Sequence, residues 1–210
     1  LDYAAQKQRD ALQATSQSKE SFLSDLELEA TIQFWDDRSL DRIFQLVQKT
    51  NQFNLTTRRH SLPELSRWMG APDKTPHQSH LGWVMHTRDR FADQGAVGFA
   101  MAIKKDAQSW ELDTLLMSCR ALGRDFERAF LVHIFSELSV RGARTVVARY
   151  LPTEKNSQVR EFYPKNGAKL LHQTDEYSEY QFDLKTTLDS LKSPPWISIN
   201  HVDSAPAGKG

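Results

Sequence analysis

The chain alternates between two kinds of hydrophobic spacing, which together predict a fold that mixes strands and helices. In the segment 28–34, apolar and polar residues alternate, as they do in a half-buried strand. The segment 40–47 instead places its apolar residues at i, i+3, i+4 and i+7, so that they share one face of a helix capped by Ser39. The same reasoning predicts further strands over 83–87, 96–103, 110–117, 145–151, 168–172 and 178–183, and further helices over 1–17, 62–69, 124–141 and 156–163, with a short one after Ser18.

The order of these elements predicts an α/β domain with a mixed sheet. Three strands that follow one another directly pair antiparallel, whereas the helix 124–141 is a crossover that brings the strand 145–151 parallel to its neighbour. In the strand 96–103, Val97 is expected on the same face as the larger residues, and small residues are expected on the other face. A face of small residues lets a helix or a ligand approach closely. We therefore expect a GNAT-like sheet with helices on both faces, splayed between the strands 110–117 and 145–151.

Three regions of the chain differ in composition. Residues 1–27 are polar and thinly apolar, which is typical of a helical lead-in, and residues 28–186 carry the alternating elements of the domain. Residues 187–210 contain Pro, Ser and Gly and are predicted to form a linker or tail. The first residue is Leu1 rather than Met, which favours a segment taken from a longer protein.

Composition narrows the range of functions. Hydrophobic residues make up 39% of the chain and charged residues 26%, which favours a packed core over disorder. Lys and Arg number 27, as do Asp and Glu, so nothing favours a nucleic acid or a membrane as the partner. The single cysteine and the absence of an apolar leader favour a cytoplasmic location. The seven histidines show no metal-ligand spacing, and no metal is expected.

The segment 117–125 is a candidate anion-binding turn, because it joins a predicted strand to a long predicted helix. Free N–H groups and the positive dipole end at the start of a helix attract anions. Arg120 and Arg124 add charge that suits a phosphate, and Gly123 suits a tight turn. A polar turn with surface arginines is the other interpretation of the same residues.

Cys119, in the same turn, has two interpretations. The guanidinium of Arg120 and the start of the next helix favour the thiolate, which would make Cys119 a nucleophile able to hold an acyl group. Burial against Leu115 and Met117 would instead make it an inert core residue.

Two further segments carry candidate polar groups. Asn156 is a good helix N-cap, and Tyr163 is either a core anchor or a general acid toward a leaving thiolate. The run 49–59 is polar apart from two residues, so it either lines a pocket for hydroxyl or carbonyl groups or forms a solvated helix end. If the preceding helix continues, Asn51 lies on its inward face, and we expect it to hydrogen-bond an acyl substrate.

Taken together, these segments resemble one family. Arg120-x-x-Gly123-x-Asp125 is similar to the pyrophosphate-binding turn of GNAT acyltransferases, and Asn156 with Tyr163 resembles a later motif of that family. Four runs resemble more narrowly the C-terminal domain of FkbH-like proteins: 49–59, Asp89-Arg90-Phe91, 116–124 and 152–156.

The resemblance implies transfer of a glyceryl unit, derived from a phosphorylated three-carbon acid, to the phosphopantetheine thiol of an acyl carrier protein in polyketide assembly. It also implies an upstream HAD-like domain as a partner, with the phosphopantetheine arm, or coenzyme A, as the thiol carrier. The residues implied are Cys119, Tyr163 and Asn156 for catalysis, Asn51, Gln52, Asn54, Thr56 and Arg58 for the acyl substrate, and Arg120, Gly123 and Arg124 for the phosphopantetheine arm.

The sequence departs from the family pattern at several positions. Asp125 stands where the turn usually has Gly or Ala, and its carboxylate would repel a pyrophosphate. Pro164 and Ala168 alter the later motif. We therefore expect an arm borne by a carrier protein rather than free coenzyme A. Two alternatives remain, an ordinary acetyl-CoA-dependent GNAT N-acyltransferase and a non-catalytic module that docks a carrier protein.

Overall fold

The computed structural model describes residues 2–69 and 80–201. The helices are α1 Asp2–Thr15, α2 Lys19–Asp25, α3 Leu40–Lys49, α4 Leu62–Met69, α5 Phe126–Val140, α6 Phe162–Lys165 and α7 Leu184–Ser190. The strands are β1 Leu28–Phe34, β2 Phe53–Asn54, β3 His80–Asp89, β4 Ala92–Lys104, β5 Ser109–Met117, β6 Thr145–Tyr150, β7 Lys169–Gln173, β8 Ser178–Asp183 and β9 Ile197–His201. Two short 3-10 turns, Cys119–Ala121 and Ser157–Val159, complete the described elements.

The strands form one mixed sheet in the order β7-β8-β6-β5-β4-β3-β1-β9, with β2 paired to β5. The strands β3, β4 and β5 are antiparallel, and β6 runs parallel to β5 after the crossover through α5, as expected. One face is covered by α5, through Phe130 and Ile134, and the other by α3 and α4, through Val47 and Leu65. The predicted α/β class, with helices on both faces of a mixed sheet, is confirmed.

The N-terminal ends of two helices show how local sequence starts them. The Ser18 hydroxyl accepts a hydrogen bond from Ser21 N at 3.0 Å and caps α2, as predicted. Ser39 does not cap α3 in this way, because its hydroxyl bonds to the backbone N and O of Asp36 at 2.9 and 2.7 Å. The helix α5 begins at Phe126 rather than at residue 124.

In β4, Val97 faces the opposite side of the sheet from the one expected. The register against β3 passes from Gly98 directly to Ala96, so Val97 is left outside the ladder as a bulge. Val97 therefore packs under α5 with the small residues rather than with Phe99 on the other face. The small face does let a helix approach, since a Cβ built on Gly98 would lie 3.3 Å from the ring of Phe130.

Two further expectations are wrong. The predicted helix 156–163 is replaced by the 3-10 turn and the short α6, because the side-chain oxygen of Asn156 accepts from Thr153 N and does not cap a helix. The predicted linker, which begins at residue 187, contains the end of α7 and the whole of β9, and Ile197 of β9 pairs in parallel with Leu28 of β1. Residues 202–210 of that linker lie outside the described part of the chain.

The sheet is splayed at its middle, as expected. The strands β5 and β6 pair only between 109–112 and 145–148, and beyond this point they diverge. Residues 53–56, here called the wedge, fill the opening. Phe53 and Asn54 pair antiparallel with Met117 and Leu116 of β5.

Hydrogen bonds hold the wedge to both strands. On the β5 side, Leu55 N donates to Leu115 O at 3.3 Å. On the β6 side, Leu151 N donates to Leu55 O at 2.8 Å. Asn156, which is 0% exposed, donates from Nδ2 to Asn54 O at 3.0 Å and to Leu151 O at 2.9 Å. The wedge therefore replaces the missing pairing between β5 and β6.

We predict that Asn156→Ala will lower the free energy of unfolding by about 3 kcal/mol, because it leaves Asn54 O, Leu151 O and Thr153 N without their side-chain partner. Urea unfolding measures the change. Asn51→Ala, which removes a partly exposed amide, is the matched control and should shift stability by less than about 0.5 kcal/mol. Equal effects of the two substitutions would show that the amide of Asn156 does not hold the wedge.

Candidate active site

A cleft of about 650 Å³ lies at the carboxyl end of β5. One wall is formed by α3 and the residues that follow it, and the opposite wall by the end of β5 and the turn after it. Its lining residues that carry functional groups are Arg42, Gln45, Lys49, Thr50, Asn51, Gln52, Ser118, Cys119, Arg120, Glu154 and Lys155. We call it the thiol cleft.

Cys119 is exposed in this cleft, so its interpretation as a buried core residue is wrong. It begins the 3-10 turn Cys119–Ala121, which is anchored to β4 by Ser118 N donating to Val97 O at 2.7 Å. The start of α5 is not adjacent to the thiol, because residues 122–125 intervene. The cation that neighbours Cys119 in the chain, Arg120, lines the same cleft.

The turn before α5 is built on two residues with left-handed backbone. Gly123 has φ 81° and Asp125 has φ 66°. Only Gly adopts this region freely, and Asp and Asn tolerate it better than other residues with a Cβ. This explains why Asp125 can occupy a position that prefers Gly.

A second cleft, of about 240 Å³, adjoins this turn and is lined by Phe53, Leu122, Gly123, Glu127, Gln158, Val159, Glu161, Phe162 and Lys165. Its charged lining consists of two carboxylates and one ammonium. Within the described residues, Oε2 of Glu127 is buried without a hydrogen-bond partner. Burial, reinforced by the charge of Asp125, raises the pKa of Glu127 to about 7. We call this the turn cleft.

The wedge lies between the two clefts. Residues 50–52, which precede it, line the thiol cleft, whereas Phe53 lines the turn cleft, and no residue lines both. The ring of Phe53 packs edge-on against Phe162, with 5.0 Å between centroids. The lining therefore changes from the thiol cleft to the turn cleft at the start of the wedge, between Gln52 and Phe53.

No protein family model matches the chain, and no curated protein matches it. Solved structures do match. A protein from Desulfovibrio desulfuricans that is assigned as a GNAT acetyltransferase aligns with a TM-score of 0.58 and 13% identity, over 74% of this chain and 99% of its own. The ribosomal-protein-S18-alanine N-acetyltransferase of Escherichia coli aligns with a TM-score of 0.55 and 14% identity, over 74% and 94%. This chain has the GNAT fold.

Another structure with the GNAT fold is a Salmonella typhimurium protein assigned as an acetyltransferase and solved with its cofactor acetyl-CoA. It aligns with a TM-score of 0.54 and 14% identity, over 74% of this chain and 94% of its own. In the present chain the cleft beside the Gly123 turn is lined by two carboxylates, Glu127 and Glu161, and by one ammonium, Lys165, a balance that does not favour a pyrophosphate.

Two of the predicted acyl-binding residues, Asn51 and Gln52, line the thiol cleft, but the predicted helix does not place Asn51 there. The helix α3 ends at Lys49, so Asn51 does not belong to it and the argument from helical phase is wrong. Asn51 nevertheless lines the cleft, partly exposed, and its Oδ1 accepts from Arg59 Nη2 at 2.6 Å. Gln52 is exposed beside it.

The other predicted acyl-binding residues hold the protein together and do not line the thiol cleft. Asn54 is 0% exposed and bonds to Thr50 O and Thr57 N at 3.2 and 2.8 Å. The hydroxyl of Thr56 donates to the backbone oxygen of Asp113 at 2.9 Å. Arg58 pairs with the carboxylate of Asp113, and also with Glu111 at 3.3 Å.

Tyr163 and Asn156 also lie outside the cleft. Tyr163 is 0% exposed, and its ring centroid lies 5.8 Å from those of Tyr180 and Phe182. Burial raises the pKa of Tyr163, and its hydroxyl has no hydrogen-bond partner in the described part of the chain. A phenol so placed fits the core-anchor interpretation and does not fit proton transfer to a thiolate. The side-chain amide of Asn156 is used in hydrogen bonds to Asn54 O and Leu151 O and from Thr153 N.

The predicted phosphate-binding residues are divided between sites. Arg120 lines the thiol cleft, and Gly123 lines the turn cleft. Arg124 lies 3.4 Å from Oδ2 of Asp89, a buried carboxylate that Arg9 also contacts at 2.8 Å. Arg124 and Arg9 therefore share one carboxylate inside the protein, and Arg124 does not line the thiol cleft.

Sequence reasoning missed Arg42, Lys49 and Lys155, which line the thiol cleft. A signal for the first two exists, since Arg42, Gln45 and Lys49 recur at i, i+3 and i+7 beside the apolar face of α3. It also missed Glu127, whose burial depends on a packing that no local pattern reveals.

Within residues 2–69 and 80–201, no helix combines the length and apolar character needed to cross a membrane. The same residues contain no group of three or more His, Cys, Asp or Glu side chains arranged to hold a metal ion.

We predict that Glu127→Gln will stabilise the protein by about 2 to 3 kcal/mol more at pH 8 than at pH 5. The folded pKa of about 7 lies above the ordinary value of 4.5, so the stability contributed by the protonated group is present below pH 4.5 and lost as the pH rises through 7. Urea unfolding at both pH values measures this. Glu161→Gln, an exposed carboxyl of the same cleft, controls for the loss of one charge. A gain from Glu127→Gln that does not change with pH would contradict the burial of this carboxylate.

Proposed function

We propose that this chain is the acyltransferase domain of an FkbH-like enzyme, which helps to transfer a glyceryl unit to the phosphopantetheine thiol of an acyl carrier protein. The observation that carries the proposal is that Cys119 is exposed in the same cleft as the amides of Asn51 and Gln52. The GNAT fold and the resemblance of the four runs support it. The acyl carrier protein and an upstream HAD-like domain are the partners that the proposal requires.

In the proposed reaction, Sγ of Cys119 first attacks the carbonyl carbon of an activated three-carbon acid. A carbon–sulfur bond forms and the leaving group departs with its electron pair. The thiolate of the carrier-borne arm then attacks the resulting thioester, so that one thioester bond forms, one breaks and Cys119 regains its proton. No oxidant or further reactant is needed. The amide N–H groups of Asn51 and Gln52 are placed to bind the oxygen atoms of the acyl group.

The proposal predicts that the full-length enzyme gains the mass of one acyl group and loses it to the holo carrier protein. Cys119→Ala should abolish the acylated enzyme and slow single-turnover transfer by at least about a hundredfold. Ser118→Ala, in the same turn, is the matched control and should leave transfer within about twofold of the unmodified rate. Intact-protein mass spectrometry follows both proteins.

Transfer at the unmodified rate by Cys119→Ala would contradict covalent catalysis at this thiol. Binding of the carrier protein without any acyl transfer would instead identify the chain as a docking module.

An ordinary acetyl-CoA-dependent N-acyltransferase is the second candidate. The left-handed turn at Gly123 and Asp125 and the similarity to a structure solved with acetyl-CoA favour it. Two features count against this candidate: the carboxylates of the turn cleft, which repel a pyrophosphate, and the wedge, which fills the opening between β5 and β6.

Coenzyme A binding to variants of Asp125 distinguishes these candidates. We predict weak binding by the unmodified protein and binding about three- to tenfold tighter for both Asp125→Asn and Asp125→Gly, because each removes a charge that repels pyrophosphate. Asn keeps a side chain that tolerates the left-handed backbone, so this variant isolates the charge. Calorimetry measures the affinity, with Asp175→Asn in the β7–β8 turn as the control. Tight binding by the unmodified protein would favour the acetyl-CoA-dependent enzyme.

A further inference from the structure

The thiol cleft has an excess of positive charge, because four cations (Arg42, Lys49, Arg120 and Lys155) and one carboxylate, Glu154, line it. Arg42 and Arg120 both line this cleft and also an adjoining cleft of about 520 Å³. Neither forms an ion pair with a carboxylate among the described residues. The adjoining cleft does contain Asp36, but this carboxylate is 2.6 Å from Arg38 and is neutralised by it.

The position of Arg42 is fixed by an uncharged group. Its Nε and Nη2 donate to the backbone oxygen of Ala96 at 3.0 and 2.8 Å, and its Nη1 donates to Gln45 Oε1 at 3.3 Å. A carbonyl orients the guanidinium without cancelling its charge, and one N–H remains available on each terminal nitrogen. The pKa of Arg42 is lowered by partial burial and then by the charge of Arg120, as expected for two cations held near each other without an anion.

The position of Arg120 next to Cys119 in the chain limits the length of a ligand that can bind an arginine of this pair and the thiol at the same time. Arg120 follows Cys119 in the chain, so their Cα atoms are about 3.8 Å apart. In a phosphopantetheine arm the whole pantetheine chain separates the phosphate from the thiol. When the sulfur of such an arm lies at the acyl group beside Cys119, its phosphate is therefore the length of a pantetheine chain away from this site and far from Arg120. A short acid with an anionic group at its far end places that group near Arg120 while its carbonyl lies near the thiol.

We propose that Arg42 and Arg120 bind the phosphate of a short phosphorylated acyl substrate whose carbonyl lies at Cys119. This inference rests on the proposed function and assigns Arg120 to the acyl donor rather than to the phosphopantetheine arm. Because the transferred unit is glyceryl, the inference also requires that the upstream HAD-like domain hydrolyses the phosphate ester with water and releases inorganic phosphate. Two guanidinium groups suit a phosphate because each presents N–H donors in a planar fork. The other cations of the cleft, Lys49 and Lys155, are exposed at its edge and attract the anion without fixing its orientation.

Calorimetry with 3-phosphoglycerate and with glycerate tests the proposal. The unmodified protein should bind the phosphorylated acid at least about tenfold more tightly than the acid without phosphate. Arg42→Gln and Arg120→Gln should each remove about tenfold of this affinity, and the double variant should bind both acids equally. Lys165→Gln, which removes a cation from the turn cleft, is the matched control and should change neither affinity.

Arg42 also contacts Ala96, so Arg42→Lys is a second variant that keeps the charge and loses the fork. It should retain the fold by circular dichroism and bind the phosphorylated acid more weakly than the unmodified protein. Equal affinity of the unmodified protein for the two acids, or a double variant that binds like the unmodified protein, would overturn the proposal. If the double variant transfers a glyceryl unit at the unmodified rate, the phosphate site is overturned and the proposed function is not. If the unmodified protein binds the phosphorylated acid preferentially but transfers no acyl group, the proposed function is overturned and the phosphate site is not.

Discussion

The arrangement of this protein depends on a short piece of backbone that pairs inside its own splayed sheet. The strands β5 and β6 diverge after four paired residues, and an opening of this kind leaves backbone donors and acceptors without partners. The wedge satisfies them on both sides, through its pairing with Met117 and Leu116 and through the bond from Leu151 N to Leu55 O. Asn156 then ties the two sides together from a fully buried position.

The two clefts are related to this constraint in different ways. They share no lining residue, and the lining passes from the thiol cleft to the turn cleft between Gln52 and Phe53, where the wedge begins. The charges also differ, since two carboxylates and one ammonium line the turn cleft, whereas four cations and one carboxylate line the thiol cleft. The GNAT fold thus keeps its turn and its splay, while Cys119, Asn51 and Gln52, to which our proposal assigns acyl transfer, line the thiol cleft.

The sequence predicts the sheet, its splay and most of the elements, because these depend on hydrophobic periodicity over many residues. The sequence also predicts that Cys119 and Asn51 act in one site, and both residues line the thiol cleft, although Asn51 lies after the end of α3 and not on its inward face. The wedge escapes prediction because Phe53-Asn54-Leu55-Thr56 is too short for its alternation to distinguish a strand from a loop. The catalytic roles predicted for Tyr163 and Asn156 are wrong because residue type and spacing do not reveal that Tyr163 is fully buried or that Asn156 bonds to the backbone of Asn54.

Amide hydrogen exchange at Leu55 and Leu151 tests the central claim most directly, because the N–H of Leu55 donates to β5 and the N–H of Leu151 donates to the wedge on the β6 side of the opening. The exchange is measured in the free protein, with coenzyme A and with the holo carrier protein. If the wedge is a permanent part of the sheet, both amides remain as protected with either ligand as without it. Faster exchange at both amides on addition of either ligand would show that an arm displaces the wedge and enters between β5 and β6, which contradicts the account.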